Sequence, residues 1–173
     1  MDRLRVAVPT TTIIATRPLD RFQIAVFRST GKHGGKLVLP GGRVKVGQHD
    51  HLTTGLQELR EELGLGLQDA RFFCLSDRPD RDIRTISIGK WADGNPVPAL
   101  FESSEVDAYI CFDIAIYGRA IGEPKADGIE GTRAQWYDLR TLDREAFALD
   151  HGTLLAYFRE FLETGTYPGL GAL

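Results

Sequence analysis

The stretch that decides the fold runs Leu39-Pro40-Gly41-Gly42-Arg43-Val44-Lys45-Val46-Gly47-Gln48, through His49–Leu56, to Gln57-Glu58-Leu59-Arg60-Glu61-Glu62-Leu63-Gly64-Leu65. Its second half has helical period, and we read a helix over His51–Leu63. At about 100° per residue, Glu58, Glu61 and Glu62 share one arc of about 100°, while Leu52, Leu56, Leu59 and Leu63 occupy the other side. The leucines are therefore expected to pack the helix on a sheet. Gly64 is placed to stop it in the left-handed conformation. Glu58 repels Glu61 at i+3 and Glu62 at i+4, at a cost of about 0.2–0.5 kcal/mol per pair. No Lys or Arg lies at i+4 to relieve them. A hard divalent cation would, and Mg²⁺ is commonly shared between carboxylates and substrate phosphates. Taken alone, E-x-x-E-E reads most simply as a solvated acidic face. The context changes that, because Pro40-Gly41-Gly42 is a tight turn that lets a backbone carbonyl approach a ligand.

Outward from this stretch the apolar runs are short and rich in β-branched and aromatic residues: Leu4–Val8, Thr10–Ala15, Phe22–Phe27, Lys36–Leu39, Ala70–Leu75, Ile83–Ile88, Val106–Tyr117 and Ala134–Leu139. A second helix is read at Thr153–Leu162, with Leu154, Leu155, Phe158, Phe161 and Leu162 on one face. Asp150 is placed to cap its start and Gly165 to end it. A short helix is read near Thr141–Ala148. Loops are expected at Ser29–Gly35, Ala92–Ser104 and Arg119–Gly131. Strands with few helices point to an α+β sandwich, helices on the sheet faces. No composition shift divides the chain, so residues 1–173 are read as one domain.

The chain has 173 residues, 42% hydrophobic and 26% charged, with net charge −3. That balance excludes a wholly disordered chain and gives no broad basic field for a nucleic acid polymer. Cys74 and Cys111 sit in apolar runs and read as buried thiols of a reducing compartment. No run approaches the roughly 18 apolar residues of a membrane span, and no signal peptide is seen. A cytoplasmic location without membrane attachment is the expectation. The histidines His33, His49, His51 and His151 show no metal-ligand spacing, and His49 and His51 read as solvated. Trp91, Tyr109 and Trp136 read as sheet or core residues.

Gly42, followed by Glu58-Leu59-Arg60-Glu61-Glu62-Leu63-Gly64-Leu65, resembles the box of the Nudix hydrolase family, G-x5-E-x7-R-E-U-x-E-E-x-G-U, with U aliphatic. The likeness covers about 24 residues. It departs at three points: Gln48 replaces the first box glutamate, Gln57 replaces the box arginine, and one residue is inserted between them. A Gln48–Gln57 contact, or nothing, would replace the lost pair. The resemblance implies an α/β/α sandwich with a mixed central β-sheet. It implies hydrolysis of a nucleoside diphosphate linked to another moiety. Glu58, Glu61, Glu62 and the Gly41 carbonyl would hold Mg²⁺ or Mn²⁺. The base would be Glu61 or Glu130, the latter in a late loop before Trp136. Arg28 and Arg43 are candidates for the diphosphate, though simple surface charge is the better reading of each taken singly. Family habit implies a homodimer.

Two sub-resemblances bear on the substrate. Pro79, with Asp80-Arg81-Asp82, is similar to a feature of ADP-ribose pyrophosphatases. Pro40-Gly41-Gly42-Arg43-Val44, with Ala156-Tyr157-Phe158, Thr164-Gly165 and Pro168-Gly169-Leu170, looks like GDP-mannose mannosyl hydrolases. Those enzymes cut at the sugar carbon with a late-loop histidine. No histidine lies between His51 and His151 here, so attack at phosphorus is expected. A nucleoside triphosphate stays open as substrate. The rival class is a nucleotide-binding sensor on the same fold, weakened by Gln48 and Gln57.

Overall fold

The computed structural model describes residues 4–30, 33–44, 50–76, 84–85, 106–129 and 131–167. The strands are β1 (Leu4–Arg17), β2 (Asp20–Ser29), β3 (Leu37–Val38), β4 (Gly41–Arg43), β5 (Gly66–Ser76), β6 (Arg84–Thr85), β7 (Val106–Ile121) and β8 (Gly131–Asp138). The helices are α1 (His51–Leu63) and α2 (His151–Thr164). All the strands join one mixed sheet, with the order β3-β2-β1-β7-β5 along its main path. β4 pairs with β1, β6 with β7 and β8 with β2. Among the described strands β1 and β7 pair in parallel and the other strand pairings are antiparallel; an isolated bridge, Leu37 to Phe147, is parallel.

The two apolar runs read on either side of Pro9 form a single strand. The Pro9 carbonyl accepts the Val44 N–H at 2.9 Å. Its ring nitrogen points to that same side, away from β7, so the parallel ladder loses no donor. Side chains alternate across the sheet. Ile13, Ala15, Ala25 and Phe27 join Leu59 and Leu63 of α1 in one core. Ile14, Ile24 and Val26 join Leu154, Leu155, Phe158 and Leu162 of α2 in the other. The result is the expected α/β/α sandwich. Both faces of the central strands are covered, so β1 is buried without interruption from Thr11 to Thr16.

Several expectations are corrected. Leu52 is 41% exposed and Leu56 half-buried, whereas Thr54, Gly55, Leu59, Glu62 and Leu63 are buried. The buried face of α1 is thus rotated toward the carboxylates. Gly55 brings the helix down on Ile13, since a Cβ there would overlap the isoleucine side chain. Glu62 is drawn inward by a backbone donor described below. At α2 the Asp150 side chain makes no capping bond; its carbonyl accepts the Leu154 N–H at 3.0 Å. Gly165 ends the helix left-handed, as expected. The segment near Thr141–Ala148 forms two 3-10 turns, Leu139–Thr141 and Arg144–Ala146, not an α-helix. β7 continues to Ile121, shortening the loop read from Arg119. The loop read at Ala92–Ser104 and the Pro79 feature lie outside the described residues. Cys74 is buried. No described helix is long and apolar enough to cross a membrane.

Candidate active site

α1 begins and ends where its sequence directs. The Asp50 side chain accepts the Thr53 N–H at 2.6 Å. Gly64, at φ 66°, donates to the Arg60 carbonyl. The caps set the length of the helix; the rotation of Glu58, Glu61 and Glu62 about its axis is set by the close approach of Gly55 to Ile13 and the bond from Gly41 to Glu62.

Pro40-Gly41-Gly42 is not the closed turn expected from its residues: Pro40 bends the chain and Gly41–Arg43 run extended as β4, and this bend and its glycines lie against the helix. Gly41–Arg43 pairs with β1 in the register Thr12↔Gly41, Thr11↔Gly42, Thr10↔Arg43. The Pro40 carbonyl accepts the Ile13 N–H at 2.8 Å. Gly41 N–H points away from β1 and donates to Glu62 Oε2 at 3.0 Å. In an extended strand a residue's carbonyl points to the same side as its N–H, so the Gly41 carbonyl also faces away from β1. Gly42 lies under the Glu58 carboxylate, and a Cβ there would overlap Glu58 Oε1. A Cβ at Gly41 would overlap the Thr11 carbonyl oxygen. The two glycines are therefore required by close approach on both sides of β4.

The three glutamates have distinct surroundings. Glu62 is 7% exposed. Glu58 is half-buried and Glu61 is exposed. Gln57 Nε2 donates to Glu61 Oε1 at 2.8 Å. Gln48 is outside the described residues; the bond shown by Gln57 goes one turn along the helix to a carboxylate of the box itself. Among the described residues no group of three or more His, Cys, Asp and Glu side chains is gathered closely enough to hold a metal ion. Glu58 and Glu62 come together on the glycine bend, and Glu61 stands apart on its glutamine. All the candidate donors are hard oxygens, matching Mg²⁺ or Mn²⁺ in chemistry.

Other expected residues fall as follows. Arg28 is exposed and donates to the Gly35 carbonyl at 2.9 Å. Arg43 is half-buried at the end of β4. Glu130 lies outside the described residues. Trp136 is half-buried against the α1-side core, as read. Its Nε1–H donates to Glu123 at 2.7 Å, and the Arg17 guanidinium lies over its ring. His51 is not solvated: it is the first residue of α1, half-buried, with Nδ1 3.1 Å from the Thr10 carbonyl. Sequence reasoning missed Glu123 and His151, which bond residues distant along the chain and carry no spacing signal.

No family model matches the sequence, and no curated protein matches it. Solved structures do match. The Nudix domain of Shewanella oneidensis NrtR, complexed with ADP ribose, superposes with a TM-score of 0.61 at 15% identity, over 93% of this chain and 90% of that one. A MutT Nudix hydrolase from Burkholderia pseudomallei gives 0.54 at 20% identity, over 92% and 98%. This is the Nudix fold. A C. elegans Ap4A hydrolase matches in the same way, with a TM-score of 0.57 at 16% identity over 90% and 98%. The Nudix fold here carries the box helix, its glycine stop and its glycine bend at the spacings described above.

Proposed function

We propose that this chain is a Nudix pyrophosphohydrolase. Its substrate would be a nucleoside diphosphate linked to another moiety, of the ADP-ribose or nucleotide-sugar class, with water attacking phosphorus. The observation that carries this reading is the Gly41–Gly42 start of β4 seated on the carboxylates of Glu58 and Glu62. A solvated acidic face needs no such contact. The solved Nudix domain with ADP ribose and the Ap4A hydrolase share the fold, which supports the substrate class.

Glu58, Glu62 and the outward Gly41 carbonyl would hold Mg²⁺ or Mn²⁺, and Glu61 would join by exchanging its bond with Gln57. The bound cation would neutralise the diphosphate and lower the pKa of a water. The chain's own residues do the positioning. Gly41 N–H orients Glu62, the bare Gly42 gives Glu58 its place, and Gln57 orients Glu61. The base is Glu61 or Glu130, and Glu61 is the one with described surroundings. Arg28 and Arg43 are proposed for the diphosphate. Catalysis of this kind rests on positioning and charge stabilisation at phosphorus.

The test is product release from ADP-ribose, GDP-mannose, other nucleotide sugars, dinucleoside polyphosphates and nucleoside triphosphates, with Mg²⁺ or Mn²⁺, beside Glu61→Gln. Metal-dependent release of a nucleoside monophosphate from the first two classes, lost in the variant, is expected. GDP plus free sugar would overturn attack at phosphorus. Nucleotide binding without turnover would favour a sensor, a reading that the Gln57 hold on Glu61 favours.

A further inference from the structure

The glycine bend is entered from Leu39, and what holds Leu39 lies outside the site described above. Leu37 bridges to Phe147 in parallel, and Ala148 N–H donates to the Leu37 carbonyl at 2.9 Å. Continued in register, the next rung would carry Leu39 N–H to the Ala148 carbonyl. The chain turns away first. Leu149 takes φ 54° and leads into α2. The Ala148 carbonyl accepts the backbone N–H of His151 at 3.3 Å instead. Leu39 N–H donates to His151 Nδ1 at 3.0 Å. His151 is 8% exposed, and Leu39 3%. To accept there, Nδ1 must carry its lone pair, so the neutral ring has its proton on Nε2.

We propose that His151 is a positioning residue for the Gly41–Gly42 segment, its imidazole standing in for the backbone acceptor that the start of α2 removes. Three consecutive residues are then tied to three elements: Leu39 to α2, Pro40 to β1 and Gly41 to α1. Take away the imidazole acceptor and a buried N–H is left without a partner. The segment relieves that by moving, and Gly41 and Gly42 move with it beneath Glu62 and Glu58. A displacement of about 1 Å in such a site can cost about a hundredfold in rate. The catalytic consequence rests on the proposed function; the tie itself does not.

Two variants of the full chain separate the outcomes. His151→Asn places Oδ1 close to where Nδ1 stands and keeps an acceptor. His151→Leu removes it. Amide hydrogen exchange at Leu39 and Gly41 is read in each, together with kcat and KM on whichever substrate the panel identifies. In His151→Leu both amides should exchange about tenfold faster or more, and kcat should fall by a similar factor while KM stays within about threefold. His151→Asn should keep exchange and kcat within about threefold of the wild type. Equal loss in both variants, or unchanged exchange in His151→Leu, would overturn the proposal. If His151→Leu does not fold, His151→Asn decides alone: Leu39 protection retained supports the tie, and protection lost refutes it. If the chain hydrolyses nothing, exchange still judges the tie while the proposed function fails separately.

Discussion

Along its length α2 meets the sheet through the apolar residues Leu154, Leu155, Phe158 and Leu162, and its first residue, His151, adds a directed bond, accepted from Leu39 N–H. α1 meets the opposite face through Leu59 and Leu63, a glycine and a buried glutamate. The first contact is held by apolar burial and tolerates small shifts. The second adds a directed bond from Gly41 to Glu62 and a close approach at Gly55, which together set one rotation of the helix. Beyond its first residue, a helix that serves the core needs only the first arrangement. A helix that must present carboxylates at a chosen place needs the second.

The contrast breaks most visibly at Phe158. Its ring is fully buried and stacks edge-on to Phe73, with centroids 5.1 Å apart. Phe158→Ala should cost about 3–5 kcal/mol in denaturant unfolding. The Gly41 amide should keep its exchange protection relative to global unfolding. If that protection collapses locally, the apolar packing of α2 is not separable from its His151 tie to Leu39.

Glu62 offers a sharper, smaller test. Glu62→Leu strands the Gly41 N–H and should destabilise by about 1–3 kcal/mol. Glu62→Gln keeps an acceptor, so its stability should stay within about 1 kcal/mol of the wild type while metal-dependent turnover is lost. Unfolding curves and turnover, measured side by side, divide structural tie from charge. Asp50→Ala removes the cap of α1 and should cost about 1 kcal/mol, read as a lower denaturation midpoint.

How far the sequence alone reached differs between the same two helices. The bounds of α1 agree with its periodicity and with Gly64, a local stop signal; the Asp50 cap is seen in the structure. The exposure of Leu52 was not legible, because rotation is set by Ile13 and Gly41, which come from other strands. α2 shows the reverse: Leu154, Leu155, Phe158 and Leu162 of its expected apolar face are buried and Phe161 is half-buried, while the Asp150 side chain makes no cap. In the site, the residue types and spacing of Glu58, Glu61 and Glu62 were visible. Their unequal burial was not, nor was the bond from Gln57, since both depend on which groups the fold brings near. The tie through His151 joins positions 112 residues apart and leaves no trace in local pattern.

The smallest effect expected lies on the α2 side. Burial, followed by the hydroxyl bond with Tyr167, holds the Tyr117 phenol above its ordinary value of 10.0. A raised folded-state value means the contribution to stability is whole below pH about 10 and is lost as pH rises through that folded value. Ultraviolet titration should show late ionisation of one tyrosine, and Tyr167→Phe should bring it earlier.

In the proposed function, the carboxylate face of α1 is a cation site framed by Gly41 and Gly42. The most direct measurement is Mn²⁺ binding, followed by electron paramagnetic resonance, in the wild type, Glu58→Gln and Glu62→Gln. Saturable binding is expected, weakening about tenfold or more in each folded variant. Binding of equal strength in all three, or none in the folded wild type, would contradict the proposed cation site.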